Sequence, residues 1–349
     1  MDIVYNCDDS YAVHTAVSIT SIFENNRLEE SIRIFILGNR ISEESKKKLS
    51  SIGDIYSVTD RTAMQQGMGA VPNGFKREVS VIDLEDFEGR LKLIFGEGLD
   101  AGKFTVTALA RIFAPQYLPE DVERYLYLDC DTVVKRQLNM LFQTKLEGKP
   151  AGLVPEPTIY PEVREYLGMS LDTPYFNTGV MLVDRKAWER QQITSKCVDY
   201  YKEKNGRLPF SDQDIVNYVL KDNVRVLWQG YDFFSNYHYR SYKSLCRTAK
   251  WYKKIMSEKE YDAARALPAV IHYAGDERPW IKGSFNPYTA DYEKYLELSP
   301  WAGTEKTPGR QKEMLMYHLM NLVTAICPAL RDRISHSYYE KTVKKKQKS

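Results

Sequence analysis

The chain has 349 residues, 43% of them apolar and 28% charged, with a formal net charge of +2. That size allows one large domain with additions, or two, and that composition excludes collagen-like, coiled-coil and wholly disordered chains. The near-neutral balance hides a basic end. From Arg331 onward seven Lys/Arg stand against only Asp332 and Glu340, which suits a local electrostatic appendage and speaks against a nucleic-acid-binding body.

In chain order, IVYNC has the β-branched, apolar character of a buried strand, and Asp8, Asp9 and Ser10 after it offer helix N-cap chemistry. Ala12, Val13, Ala16, Val17, Ile19 and Phe23 then recur at helical spacing. Residues 31–38 read as a second strand, and Ser42 with Glu43 opens a second helix. The order β, α, β, α with short connections implies a parallel sheet with helices on both faces. Residues 60–103 are rich in Gly, Met and charge and are expected to be irregular. Helical periodicity returns over 105–117, and ERYLYLDCDTVV then describes an apolar strand that ends in two carboxylates. AGLVPE, GVMLVD, VRVLW and AVIHYAG read as four more strands, with helices around 188–204 and 212–221. The hydrophilic GTEKTPGRQK marks a boundary, giving a catalytic unit over 1–302 and an appendage over 303–349. In the appendage, EMLMYHLMNLVTAIC reads as an amphipathic helix stopped by Pro328, and KTVKKKQKS as disordered.

Cys7, Cys130, Cys197, Cys246 and Cys327 are scattered and form no C-x-x-C pair. Neither a disulfide framework nor a zinc ribbon is readable, and a reducing, cytosolic compartment is expected. Asp2, Asp8 and Asp9 stand where a signal peptide needs a basic start, and no apolar run approaches the ~18 residues that span a bilayer.

Asp-x-Asp alone carries little weight, since two such triplets, at 129–131 and 212–214, are what chance supplies in a chain this rich in Asp. Context separates them. Side chains at i and i+2 of an extended segment point the same way, so Asp129 and Asp131 face one side at a strand's carboxyl end while Cys130 faces the other. Ligands of open α/β sheets bind at that end, and two such carboxylates suit a Mg²⁺ or Mn²⁺ that meets phosphate oxygens. His272, in AVIHYAGDERPW, lies within an apolar strand, where a satisfied core histidine is the commoner finding. Beside an Asp pair it tilts the choice toward Mn²⁺. Arg278 can pair with a diphosphate. Asn177 and Thr178 precede a buried strand, and Asp212, Gln213 and Asp214 start a helix, where Ser-x-x-Asp is also an ordinary capping box. GEGLDAGKF fails as a P-loop because Glu97 and Phe104 occupy required positions, and no G-x-G-x-x-G follows the first strand.

Taken together and in this order, IVYNCDDSYA, TALARIF, YLYLDCDTVV, FNTGVMLVD, SDQDIVN and HYAGDERPW resemble the family 8 retaining glycosyltransferases, above all bacterial lipopolysaccharide-type α-galactosyl- and glucosyltransferases. The resemblance implies a GT-A fold: a doubly wound, mixed and mostly parallel α/β sheet flanked by helices, here with a helical, basic C-terminal extension. It implies a UDP-sugar donor, a glycan or glycolipid acceptor and a divalent metal, usually Mn²⁺, held by Asp129, Asp131 and His272. Cys7, Asp8, Asp9, Ser10 and Tyr11 match the uridine-binding first loop. Arg111 and Cys130 match positions near the donor, Asn177, Asp212 and Gln213 match the donor-sugar site, and Gly275 and Arg278 match a loop over the diphosphate. That loop usually carries Lys where Arg278 stands, and either cation grips phosphate. In the family, Gln213 would support the oxocarbenium face, with Asp212 as nucleophile or orienting group. The basic tail implies a cytoplasmic enzyme resting on an anionic membrane surface. Two rivals remain: a sugar-1-phosphate nucleotidyltransferase, which should carry a Gly-rich basic first loop that NCDDSYAVH lacks, and a non-catalytic carbohydrate-binding relative, which should have lost a metal ligand.

Overall fold

The computed structural model describes residues 1–68, 75–96 and 106–348. Among the described residues ten strands form two sheets. They are β1 (Asp2–Asp8), β2 (Ser31–Asn39), β3 (Lys76–Asp83), β4 (Arg124–Leu128), β5 (Thr132–Val134), β6 (Ala151–Pro155), β7 (Phe176–Asp184), β8 (Val224–Val226), β9 (Phe233–Phe234) and β10 (Val270–His272). The main sheet has the order β3-β2-β1-β4-β7-β6-β8, and β5-β10-β9 form a small second sheet. In the main sheet only β7 runs against its neighbours. The β, α, β, α opening does give parallel strands, and with β7 reversed the sheet is the mixed, mostly parallel one that the family resemblance implies.

Period-two alternation sorts each central strand between two cores. Val4, Tyr125, Tyr127, Met181 and Val183 face one, and Ile3, Tyr5, Leu126, Leu128, Val180 and Leu182 face the other. Helices Ala12–Asn25 and Glu43–Met68 cover the second face, whereas Ile193–Glu203 and Ser211–Leu220 cover the first. Burial on both faces is what makes these strands read as unbroken apolar runs.

The structure corrects five sequence expectations. Residues 60–103 are not wholly irregular, for β3 and helix Phe87–Phe95 lie within them; 69–74 and 97–105 lie outside the described residues. β3 is an edge strand with exposed Lys76, Glu78 and Ser80, and charge on an edge strand blunts edge-to-edge pairing while erasing the apolar signal. Asp8 leads into a short 3₁₀ turn (Asp9–Tyr11) without a side-chain cap. The helix expected over 105–117 is a chain of short pieces, Val106–Leu109, Ala110–Phe113 and Ala114–Gln116, with Pro115 in the last. The helix expected over 188–204 is two, Arg185–Arg190 and Ile193–Glu203, parted at Gln192 (φ 56°). Finally, the last residues are not disordered but form a helix, Pro328–Lys348.

That helix and its predecessor, Gln311–Ile326, pack on the body. Met314, Asn321 and Thr324 are buried, Asn321 Nδ2 donates to Glu277 (2.7 Å), the Tyr160 hydroxyl donates to the carbonyl of Asp332 (3.0 Å), and Val343 joins the first core. Residues 303–312 are tied back to the body through the bridge Ile281–Thr307. Among the described residues no helix is long and apolar enough to cross a membrane.

Candidate active site

The carboxyl ends of β1, β4 and β6 meet at one edge of the main sheet. Because β7 runs the other way, its first residues, Phe176, Asn177 and Thr178, arrive at that same edge. Asp129 follows β4 directly and Asp131 immediately precedes β5, so the turn between the two sheets carries the Asp-x-Asp. β10 pairs antiparallel with β5, setting His272 opposite Thr132. One ligand atom each of Asp129, Asp131 and His272 lies within 4.8 Å of the others. His272 Nε2 is 3.2 Å from Asp131 Oδ1 and 3.8 Å from Asp129 Oδ2.

Asp232, just before β9, holds the other ring nitrogen: its Oδ1 lies 2.9 Å from His272 Nδ1. A carboxylate on Nδ1 fixes the tautomer that offers Nε2 as a ligand. Burial alone would lower the His272 pKa, but Asp232 and Asp131 outweigh it and push it well up. Burial likewise favours a neutral Asp131, and His272 and Arg278 overrule it to hold that carboxyl low. Two anionic oxygens and an imidazole nitrogen converging in this way form a donor set that could hold a divalent metal ion.

Arg111 ties this centre to the helix Ser211–Leu220. Its Nη2 donates to Asp129 Oδ1 (2.8 Å), its Nε lies 3.0 Å from Asp212 Oδ2, and Nη1 donates to the carbonyl and hydroxyl of Thr178. With its donors so engaged, Arg111 positions Asp129 and Asp212 through charge-assisted bonds. The hydroxyl of Tyr127 also donates to Asp129 Oδ1 (2.9 Å).

A second cluster surrounds Gln213. Asn177 Nδ2 donates to Gln213 Oε1 (2.7 Å), and Asn177 Nδ2 and Gln213 Nε2 both donate to Glu156 Oε2 (3.0 Å each). Asp214 does not belong to a capping box: it accepts from the Tyr175 hydroxyl and the Phe210 amide (2.6 Å each), while the Ser211 hydroxyl is buried without a partner and Ser211 has φ 47°. Burial pushes Asp212 up to about 6 and Glu156 and Asp214 up to about 7. Arg111 pulls the other way at Asp212. Carboxyl pKa values raised by burial and gathered at one end of a sheet mark a candidate functional site.

The first loop meets the loop after β10. Arg278 Nη1 donates to the Tyr11 hydroxyl (2.6 Å) and lies 3.5 Å from Asp131 Oδ2, while its Nε donates to the carbonyl of Gly275, whose φ of +99° suits glycine. Asp8 accepts from Ser10 (2.5 Å), whereas Asp9 accepts from the amide and hydroxyl of Ser42 (2.9 Å each) and so anchors the second helix. The thiols turn inward, Cys7 toward Thr15 and Cys130 toward the carbonyl of Asn6. Sequence reasoning missed Asp232, Glu156 and Tyr127. Of these, Glu156 carried a signal, standing like Asp129 at the end of an apolar strand; Asp232 sits in YDFF with no periodicity to mark it.

The family model described as "Glycosyl transferase family 8" matches residues 2–283. A lipopolysaccharide 1,2-glucosyltransferase of Escherichia coli K12 is 29% identical over 243 residues, 66% of this chain and 67% of that protein. General stress protein A of Bacillus subtilis is 25% identical over 86% of this chain and 94% of its own length. Among solved structures, the galactosyltransferase LgtC in complex with donor and acceptor sugar analogues superposes with a TM-score of 0.63 at 25% identity, covering 86% of this chain and 96% of that one.

Proposed function

The chain belongs to glycosyl transferase family 8, and on that premise we propose that it is a retaining α-glycosyltransferase moving glucose or galactose from a UDP-sugar to a glycan or glycolipid acceptor in cell-surface polysaccharide synthesis. Residues 1–302 carry the chemistry, and 303–349 seat the enzyme on the cytoplasmic face of an anionic membrane. The observation that carries the reading is the convergence of Asp129, Asp131 and His272 at the sheet edge.

These three side chains would hold Mn²⁺, which when bound supplies Lewis-acid charge to the leaving diphosphate. Sugar transfer makes the diphosphate more negative while the anomeric carbon becomes cationic. Arg278, fixed by Tyr11 and Gly275, brings a guanidinium to the first demand by electrostatic preorganisation. Gln213 and Asn177, locked to Glu156, present amide groups whose orientation the network sets, and they serve the donor-sugar face. Asp212 is held against Arg111 and orients that face from behind. Cys7, Asp8, Ser10 and Tyr11 form the wall for uridine, with Asp9 and Cys130 supporting it from structural positions.

The test is release of UDP from a panel of UDP-sugars with and without Mn²⁺. Chelation is expected to abolish release, and Asp129→Asn, which removes an anionic ligand, to slow it on the order of a thousandfold, several kcal/mol of transition-state stabilisation. Full activity in EDTA, or in the Asn variant, sinks the metal assignment.

A further inference from the structure

A cavity of about 350 Å³ lies between the loop after β10 and the two C-terminal helices. Gly275 lines it, and so does Thr158, whose hydroxyl donates to Glu156 Oε1 (3.4 Å) in the network that holds Gln213. The cavity therefore shares walls with the proposed donor site.

Two guanidiniums line it, Arg240 and Arg331. Arg240 is only 6% exposed, yet its Nε and Nη1 have no hydrogen-bond partner. Arg331 gives Nη1 to the Thr324 hydroxyl (3.2 Å), and burial together with the nearby Arg240 pushes its guanidinium down to about 10. The acids in the same wall are hydrogen-bonded to neutral donors. Asp276 accepts from the Tyr317 hydroxyl (2.9 Å), and Glu277 accepts from Asn321 Nδ2 (2.7 Å) and the Phe285 amide (3.2 Å). Two neighbouring cations, one of them buried with idle donors, are costly unless an anion joins them. The planar guanidinium fork matches a phosphate or carboxylate. Tyr239 and Tyr338 add ring surface of the kind that packs on a saccharide.

We infer that this cavity is the acceptor subsite and that the acceptor carries an oxyanion, phosphate or carboxylate, gripped by Arg240 and Arg331; the inference rests on the glycosyltransferase reading. The experiment is calorimetric titration of the full chain, its donor site filled with UDP and Mn²⁺, with glucose 1-phosphate, glucuronic acid and glucose. At least one anionic sugar is expected to bind tenfold or more tightly than glucose, and the ratio between the two anions tells phosphate from carboxylate. Arg331→Gln is expected to erase the preference and Arg331→Lys to keep part of it. Equal affinity for all three sugars, binding of none, or a preference that survives both Arg331→Gln and Arg240→Gln overturns the subsite. Absence of UDP release from every UDP-sugar strikes the glycosyltransferase reading itself, whereas a UDP-releasing enzyme indifferent to acceptor charge strikes this inference alone.

Discussion

A Cβ on residue 179 would stand 2.4 Å from Cε1 of His272 and 2.8 Å from its Nδ1, so the imidazole could not remain between Asp131 and Asp232. The glycine of FNTGV is thus a space requirement of the histidine, imposed by close approach rather than by a turn. Gly179→Ala is expected to lower Mn²⁺ affinity at least tenfold, as loss of an outer-shell support does, while the protein still melts in one transition. Calorimetric Mn²⁺ titration checks this, and unchanged affinity would show that His272 is not a ligand. Glu156 invites a second test at the same scale. Burial pushes Glu156 up to about 7, whereas an unfolded chain ionises it near 4.3. Between those values the folded protein keeps a proton that the unfolded chain has lost, so this contribution is complete below about pH 4 and is lost as pH rises toward 7. Glu156→Gln retains an acceptor for Asn177 and Gln213 and removes the charge. It is expected to raise Tm at pH 8 and to flatten the fall of stability above pH 4.5 by on the order of 1 kcal/mol per pH unit. Melts of both forms from pH 4.5 to 8 measure it, and parallel slopes would contradict the raised carboxyl.

Elements differ in how plainly the sequence announces them, and the difference is physical. β1, β4 and β7 are buried on both faces, so their apolar runs mark them, and the carboxylates that end β4 stand out against that background. The same contrast marks Asp129 and Asp131, whereas His272, inside an apolar strand, gains its meaning only beside that pair and from the family resemblance. β3 is exposed on alternate residues and its charge conceals it. The pieces over 106–116 keep helical spacing because their apolar face is helical, but Pro115 and the 3₁₀ turns interrupt them, a local geometry that periodicity does not resolve. Asp212 and Gln213 were readable only through family likeness, since Ser211 mimics a cap that it does not form. Asp232 was beyond reach because its role depends on β9 pairing with β10 across 40 residues of chain.

At the scale of the whole molecule, the C-terminal extension shows two opposite sides. Helix Gln311–Ile326 turns Met314, Asn321 and Thr324 onto the body, while Leu315, Met316, Leu319, Leu322, Val323 and Ile326 remain exposed, Ile326 at 87%. The spacing of 315, 319, 322 and 326 is that of one stripe along a helix. A single apolar stripe holds a bilayer interface only marginally, and nearby Lys or Arg each add about 1 kcal/mol at an anionic surface. Lys341, Lys344, Lys345 and Lys346 follow in the next helix. Tyr317, Met320, Asn321 and Thr324 line the acceptor cavity from the opposite side of the same helix, so an enzyme seated by its stripe would hold that cavity one helix diameter, roughly 10 Å, from the lipid surface. Truncation at Gly303 would remove both the stripe and the cavity wall, so the decisive comparison uses the full chain. Met316→Glu with Ile326→Glu puts two charges into this exposed apolar surface at its two most exposed positions. The native chain is expected to float with anionic vesicles and to detach partly in high salt, the double variant to stay in the dense fraction. Equal flotation of both, or of neither, removes the membrane surface from the enzyme's partners.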